Sequence, residues 1–551
     1  MNPNKSNRFM PLMMALCVII GIVVGSFYSN HFSGNRLNII NTGSNRINNL
    51  LHIISDQYVD EVNLDSLVEG AMPKILAELD PHSVYISAKD VQAANQDLQG
   101  SFSGVGIEFT IRQDTIHVQN VIQNGPAEQA GIIAGDKIVS VDNKPFVGKV
   151  VTNEEAMKRL KGQKNTKVRL GVLRYGHQKP LYVNVTRGDI PLKSVSAAYM
   201  LDDTTGYVRI KSFGETTYAE LLVAFAKLGQ YQFKNLVIDL RDNTGGYLQS
   251  AVQIANEFLP KNKLIVYTEG RKSPRQNFIS DGHGSYKRMP LVILINEGSA
   301  SASEILAGAM QDNDRATIIG RRSFGKGLVQ KQIGFSDGSM IRLTIARYYT
   351  PSGRCIQKPY QTGEDPNYAQ DLMSRYQHGE FFSQDSIKHG GPAYHTTIGR
   401  VVYGGGGITP DIFVPEDTIN FTSYYKKASM SGLIFQFAFS YTDDNRLKMN
   451  NFKEMEEMQD YLEKQNTVEQ FANYADQHGL RRRNLMIRKS YNLLDRYINS
   501  RIIYNMLNEE AWLQFINQDD PTVMKALEVF NKNEAFPKAP APRKPINKKT
   551  K

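Results

Sequence analysis

The sequence predicts a multidomain α/β protein flanked by helical segments. Three observations carry that expectation. Between Gly206 and Tyr349, apolar strand patterns alternate with helical ones, as in a buried sheet with helices on its faces. Between Leu98 and Arg187 the pattern changes to short strands punctuated by glycine. The stretches 45–78 and 420–535 instead place apolar residues at helical spacing. A chain of 551 residues has room for roughly two to four domains, each with its own core. The net charge of +10 is small for this length and dispersed, so no nucleic-acid partner is implied.

At the N-terminus, Phe9–Phe27 contains no charge and follows Lys5 and Arg8. It is marginally long enough to span a bilayer, for which about 20 residues are needed. A basic flank before such a span predicts a cytoplasmic N-terminus and an exported, membrane-anchored remainder facing the periplasm or extracytoplasmic side. A cleaved signal segment is the competing expectation, although Gly25-Ser26 offers only a weak cleavage site. Residues 1–28 are therefore an anchor or a signal. Cys17 lies inside this stretch and Cys355 is the only other cysteine, so the exported part has no internal disulfide. Cys355, in TPSGRCIQ, has no partner motif that would make it a nucleophile.

Helical spacing of Ile47, Leu50, Leu51 and Ile54, then of Leu67, Met72, Ile75 and Leu76, predicts a helical region over 36–97. Within it, Pro81 forces a turn in Leu79-Asp80-Pro81-His82-Ser83. Such helices, or those near the C-terminus, are the surfaces through which copies would self-associate.

Over 98–188, strands are expected at Glu108–Ile111, Ile116–Ile122, Lys137–Val141, Lys167–Leu173 and Leu181–Thr186, with a helix over Asn153–Lys161. With Gly125-Pro126-Ala127, Ala130-Gly131 and Gly135-Asp136 in order, this segment resembles a PDZ domain. The resemblance implies that Gly104, Val105, Gly106 and Ile107 form the loop that captures a C-terminal carboxylate. A peptide would then add as a strand beside the loop.

Over 189–416 the alternation runs from strand Tyr207–Ile210 to helix Tyr218–Leu228, strand Leu236–Leu240, helix Leu248–Phe258 and strand Leu264–Thr268. The run Val292–Ile295 follows, with a helix from near Ser301, strand Thr317–Ile319, and strands Val329–Gly334 and Met340–Tyr349. Active residues are expected at strand ends, where Asn243–Gly246 and Gly298–Ser301 fall. Residues 417–536 read as a helical extension without a chemical motif. The tail 537–551, with six Lys/Arg and four Pro, reads as disordered.

Gly320–Lys326 satisfies the GxxxxGK pattern, but Gly327 stands where Ser or Thr must hold Mg²⁺, which excludes a phosphate loop. The ten histidines are scattered without ligand spacing, so no metal site is implied. His82 is the best histidine for a Ser-His-Asp triad, yet no histidine ends a recognisable core strand. A Ser-Lys dyad remains. Ser299, Ser301 and Ser303 cluster at a helix start, and Lys326 sits between two glycines in an apolar setting that would lower its pKa. The spacing alone leaves open which serine acts.

The segment GSASASEILAGAMQDNDRATIIGRRSFGKGLVQ resembles the signature of carboxyl-terminal processing (tail-specific) serine peptidases. The resemblance extends to DQYVDEVNLDSLVEGAMPKILAELDPHSVYIS, SFSGVGIEF, IDLRDNTGGYLQSA, RYYTPSGRCIQ and GGGGITPDI, over roughly 45–415. It implies a crotonase/ClpP-like α/β core in which Ser301 is the nucleophile, Lys326 the base and Gln330 the orienting amide. The backbone N–H groups of Gly246 and Ala302 would form the oxyanion hole, and Ser299 and Ser303 would revert to structural roles such as helix capping. Thr244 replaces the usual proline before the glycine pair, and Glu297 falls at a variable position. The implied activity is endopeptidase cleavage of protein substrates with free C-termini, with no metal and no other cofactor. A non-catalytic PDZ scaffold on the same fold is the rival, and the intact Ser301, Lys326 and Gln330 set argues against it.

Overall fold

The computed structural model describes residues 13–24, 43–112, 114–174, 176–363 and 365–540. The chain divides after Leu76 into two compact units. In the first, residues 13–24 are helical, and helices Gly43–Gln57 and Leu64–Ala77 follow. Both ends of the uncharged stretch Phe9–Phe27, and its basic flank, lie outside the described residues. Among the described residues no helix is long and apolar enough to cross a membrane.

The second unit departs at once from the helical expectation for 36–97. Val84–Ile86 is a strand, paired antiparallel with Met340–Arg342. Its cause lies in the preceding turn. Asp80 Oδ1 accepts the N–H groups of His82 and Ser83, at 2.9 and 3.0 Å, an Asx turn that stops the helix. It delivers Val84-Tyr85-Ile86, residues suited to a strand, to the sheet edge. Helix Val91–Gln99 follows and ends at Gly100, whose φ of 72° favours glycine.

The glycine-punctuated segment forms a sheet in the order Ile107–Arg112, Thr115–Val121, Lys137–Val141, Lys167–Leu173, Leu181–Thr186, with Lys144–Pro145 beside Lys137–Val141. Helix Asn153–Leu160, capped by Thr152 Oγ1, buries Ala156 and Leu160 against this sheet. Ile107–Arg112 is an edge strand with one side unpaired. Ser101–Gly104 leaves this sheet to pair with Gly188–Pro191, a short ribbon the sequence reading lacked.

The second α/β sheet runs Val195–Met200, Thr205–Ile210, Asn235–Asp239, Leu291–Ile295, Thr317–Gly320, Ile412–Phe413. The first pair is antiparallel and the rest parallel. Helices Thr217–Gly229, Leu248–Phe258 and Ala302–Asp312 cover one face, packing on Leu291, Ile293 and Ile295. The other face, which presents Val237, Val292 and Leu294, is covered by Leu513, Val523, Val529 and Phe530. These come from helices Glu509–Asn517 and Pro521–Asn531. The unbroken apolar run of Leu291–Ile295 is thus explained by burial on both faces.

The end of the predicted extension therefore belongs to the core of this sheet, and it is tied there by charge as well. Arg241 spans Asp239 at 2.7 Å and Asp520 at 2.8 Å. Burial raises the Asp239 carboxyl, but Arg209 and Arg241 outweigh it and hold the group well below the usual carboxylate range. The remaining helices of the extension, from Ser423 to Met506, form their own core around Phe437, Phe471, Leu494 and Ile498. They also touch the edge-strand sheet. Arg112 donates to Ser440 at 3.1 Å, and His117 packs edge-on against Phe439 at 5.6 Å.

Because Phe530 fills the second face of the α/β sheet, Phe530→Ala should destabilise that domain by about 3–5 kcal/mol. Thermal unfolding followed by circular dichroism should show the loss, while Met430→Ala, at a side chain 78% exposed, should leave the midpoint unchanged.

Candidate active site

Three neighbouring parallel strands end at the same edge of the α/β sheet, the edge where open sheets of this kind present their functional groups. Asn235–Asp239 leads into the turn Arg241–Gly246, Leu291–Ile295 into Asn296–Ser301, and Thr317–Gly320 into Arg321–Lys326. Asn243 binds the first two turns together. Its carbonyl accepts Ala300 N–H at 2.9 Å and Ser303 Oγ at 2.8 Å, and its Oδ1 accepts Gly245 N–H at 2.9 Å. Ser299 Oγ donates to Leu240 O at 2.8 Å. Ser299 and Ser303 are thus structural, but they act as staples between turns and not as helix caps.

Ser301 stands apart. It precedes helix Ala302–Asp312 with φ 55° and ψ −113°, a conformation costly for a residue with a Cβ, on the order of 1–3 kcal/mol. Glu304 enforces it. This fully buried carboxylate accepts four donors: Ser301 N–H at 2.9 Å, Ser323 Oγ at 2.5 Å, Gly325 N–H at 2.8 Å and Lys326 N–H at 2.9 Å. Burial pushes its pKa up to about 7 against the opposing pull of those hydrogen bonds. Tyr348 adds a second tie, its hydroxyl lying 3.0 Å from Ser301 O and 2.5 Å from Lys326 O.

Lys326 is held below the usual lysine range, chiefly by burial and also by Arg342, with Asp80 and Glu304 opposing. Its Nζ donates to Gln330 Oε1 at 3.1 Å, and the Gln330 amide in turn donates to the carbonyl of His82. Among the described residues Nζ has no hydrogen bond to Ser301 Oγ.

The glycine turn meets Ser301 directly. A Cβ on Gly245 would fall 2.6 Å from Ser301 Cβ and 2.8 Å from Ala302 N, and one on Gly246 would strike Phe213 O at 2.2 Å. Both glycines have positive φ. The N–H groups of Gly246 and Ala302 make no hydrogen bond among the described residues, the latter because it opens a helix.

A cleft of about 2190 Å³ opens on Ser301, Lys326 and Gln330. Its walls include Ile107 and Glu108 of the edge strand, and Leu507 and Asn508 of the extension. At the edge strand, Gly106 has φ 80°, and the N–H groups of Val105 and Gly106 make no hydrogen bond among the described residues. Their carbonyls are occupied by Ala127 and Ile122 N–H.

Comparison with known proteins fits this geometry. Residues 204–369 match peptidase family S41, 103–185 match the PDZ domain, and 30–90 match the N-terminal domain of the activating protease CtpB. A carboxy-terminal-processing protease of Bartonella bacilliformis is 39% identical over 317 residues, covering 57% of this chain and 72% of its own. The chain belongs to the carboxy-terminal processing proteases of peptidase family S41. A probable CtpA-like serine protease of Staphylococcus aureus is 35% identical over 374 residues, covering 66% of this chain and 74% of its own. CtpB of Bacillus subtilis is 34% identical over 316 residues, covering 57% and 65%. A photosystem II D1 C-terminal processing protease of known structure covers 67% of this chain and 92% of its own at 26% identity, with a TM-score of 0.34. Residues 424–508 match a family of unknown function, which stops just before the helices that cover the catalytic sheet.

The protease thus has the serine-type peptidase and PDZ domains that its motifs implied. The structure brings Ser301, Lys326, Gln330 and Gly246 to one cleft. Sequence reasoning missed Glu304 and Tyr348, and it placed the turn carrying His82 without its link to Gln330. Glu304 had a signal, being the third helix residue after a serine cap, but nothing in the sequence showed that it also reaches the lysine turn. His82, set aside as a triad member, lies beside Lys326 without serving as a base. Burial and then Lys326 push its imidazole down to about 4.

In Glu304→Gln an amide N–H₂ replaces one acceptor and faces donors. Each unsatisfied N–H costs about 1–3 kcal/mol, so the protease should lose its activity before its fold, with kcat down at least about 100-fold. Steady-state kinetics beside a thermal melt would check this.

Proposed function

We propose that the protease cleaves protein substrates near their C-termini, with Ser301 as nucleophile and neutral Lys326 as general base. The observation that supports it most is the joining of the strained Ser301 and a buried, Gln330-bonded lysine through Glu304 and Tyr348. A serine hydroxyl needs a base, and a lysine serves only when neutral. Substrate brings Nζ within reach of Oγ. Lys326 takes the proton as Oγ attacks the scissile carbonyl, then passes it to the leaving amine, and water hydrolyses the acyl-enzyme. Gly246 and Ala302 N–H groups receive the oxyanion, a contribution of about 3 kcal/mol per donor. The open Val105 and Gly106 amides of the Gly104–Ile107 loop would hold the substrate's terminal carboxylate, with the chain laid along Ile107–Arg112 toward the cleft. The uncharged stretch after Lys5 and Arg8 supports export and anchoring through the N-terminus, which membrane fractionation with and without residues 1–28 would test.

Ser301→Ala and Lys326→Ala should each reduce cleavage of an unfolded substrate by at least about 10⁴-fold with the melting curve retained. Full activity in either variant would refute the dyad. Because the active lysine is the deprotonated one, kcat should rise with pH through a midpoint below the ordinary lysine value of about 10.4. A rise completed only above that value would count against a neutral base. Amidating the substrate's C-terminus should raise KM; an unchanged KM would remove the loop from substrate recognition.

A further inference from the structure

Gln330 can meet Lys326 in two ways with opposite consequences. If its Oε1 faces Nζ, the amide accepts a hydrogen bond from an amine N–H and leaves the nitrogen lone pair free to act as a base. If its Nε2 faces Nζ, the amide donates to that lone pair and blocks it. The observed arrangement is the first, with Nζ to Oε1 at 3.1 Å. What selects it is the other end of the amide. It faces the carbonyl of His82, which can only accept, so Nε2 is committed there.

We infer that the Asp80–Ser83 turn, which lies in the segment matched to the CtpB N-terminal domain and before the peptidase span, is a positioning element for the catalytic base, with His82 at its centre. Residue 82 is fixed at main chain and side chain alike. Asp80 Oδ1 accepts His82 N–H at 2.9 Å and Thr344 Oγ1 at 3.1 Å, and Asp80 Oδ2 accepts Ser83 Oγ at 2.6 Å. Ser83 Oγ accepts Thr344 N–H at 3.1 Å, locking the turn to strand Met340–Tyr349. The His82 ring lies 2.6 Å, Nε2 to hydroxyl, from Tyr368, which accepts Gln357 Nε2 at 3.3 Å. Gln357 Oε1 then accepts the N–H of Gly327, the residue after the lysine, at 2.8 Å. A closed circuit of hydrogen bonds runs from Lys326 Nζ through Gln330, His82, Tyr368 and Gln357 back to the lysine turn. The charged groups acting on Lys326 are Arg342, Asp80 and Glu304, and those acting on His82 are Lys326, Asp80 and Lys358, the last lying over the Tyr368 ring.

This inference rests on Lys326 being the base. His82→Phe keeps a ring but removes the bond to Tyr368, and Tyr368→Phe removes the same bond from the other side. Each frees the His82 carbonyl and lets the Gln330 amide turn. In pH–rate profiles of the full chain the plateau kcat should fall about tenfold, part of the roughly 10²–10⁴ a general base contributes. KM should stay within about twofold, and the acid limb should move to lower pH, because the turned amide stabilises the neutral amine. Tyr368→Phe also removes the bond from Gln357, so the double variant should be no worse than Tyr368→Phe alone, which already lacks the His82 bond. Gln330→Glu should move the limb the other way, by about one unit or more, because a carboxylate favours the charged lysine. An unchanged plateau and limb in His82→Phe, beside an inactive Lys326→Ala, would overturn the inference and leave the dyad standing. A limb displaced upward in His82→Phe would report water entering a loosened site and would overturn it as well. An active Lys326→Ala would instead remove the reading on which it rests.

Discussion

Glu304 lies beyond the reach of water, and four donors converge on it from the serine turn and the lysine turn. A buried carboxylate is costly unless its lone pairs are filled, so the contact works in both directions. The two turns satisfy the acid, and the acid fixes the separation and tilt of the two turns. The positive φ of Ser301 is held because its N–H has nowhere else to go. Tyr348, bonded to the carbonyls of Ser301 and Lys326, closes the same joint from the opposite side. The backbones of Ser301 and Lys326 are thereby joined without a direct bond between their side chains.

This joint is possible only because three parallel strands end side by side. Asn235–Asp239, Leu291–Ile295 and Thr317–Gly320 bring the glycine turn, the serine turn and the lysine turn to one edge. The other parts of the site are recruited from far along the chain. Strand Met340–Tyr349 carries Tyr348 and receives the Asp80–Ser83 turn, while the edge strand and the extension line the cleft. The peptidase core supplies the chemistry, and segments before and after it supply the walls.

Much of this was legible in the sequence, for physical reasons that differ by region. Leu291–Ile295 stood out as an unbroken apolar, β-branched run bounded by turns, and Lys137–Val141 as a short strand following the Gly135-Asp136 turn. Among the three serines, by contrast, spacing could not single one out. Ser299, Ser301 and Ser303 are equivalent in pattern, and only their partners separate them: two bond to carbonyls across the turn, and one is left facing the cleft. Val84–Ile86 was read through as helix because a three-residue strand has no periodicity of its own and depends on a partner more than 250 positions away, at Met340–Arg342. The closing helices were assigned to a separate domain because helical spacing shows that a face is apolar without showing what it meets. His82 was considered for the wrong role, since a sequence displays side chains and the group that faces Gln330 is a backbone carbonyl.

The helices over the second face of the catalytic sheet have a consequence for how the protein is made. Val237, Val292 and Leu294 meet their cover only when residues as late as Phe530 are available. A chain emerging from the ribosome in order therefore completes its glycine, serine and lysine turns long before the sheet beneath them is sealed. The face of the sheet beneath those turns is thus left apolar and open until residues 513–530 have been made.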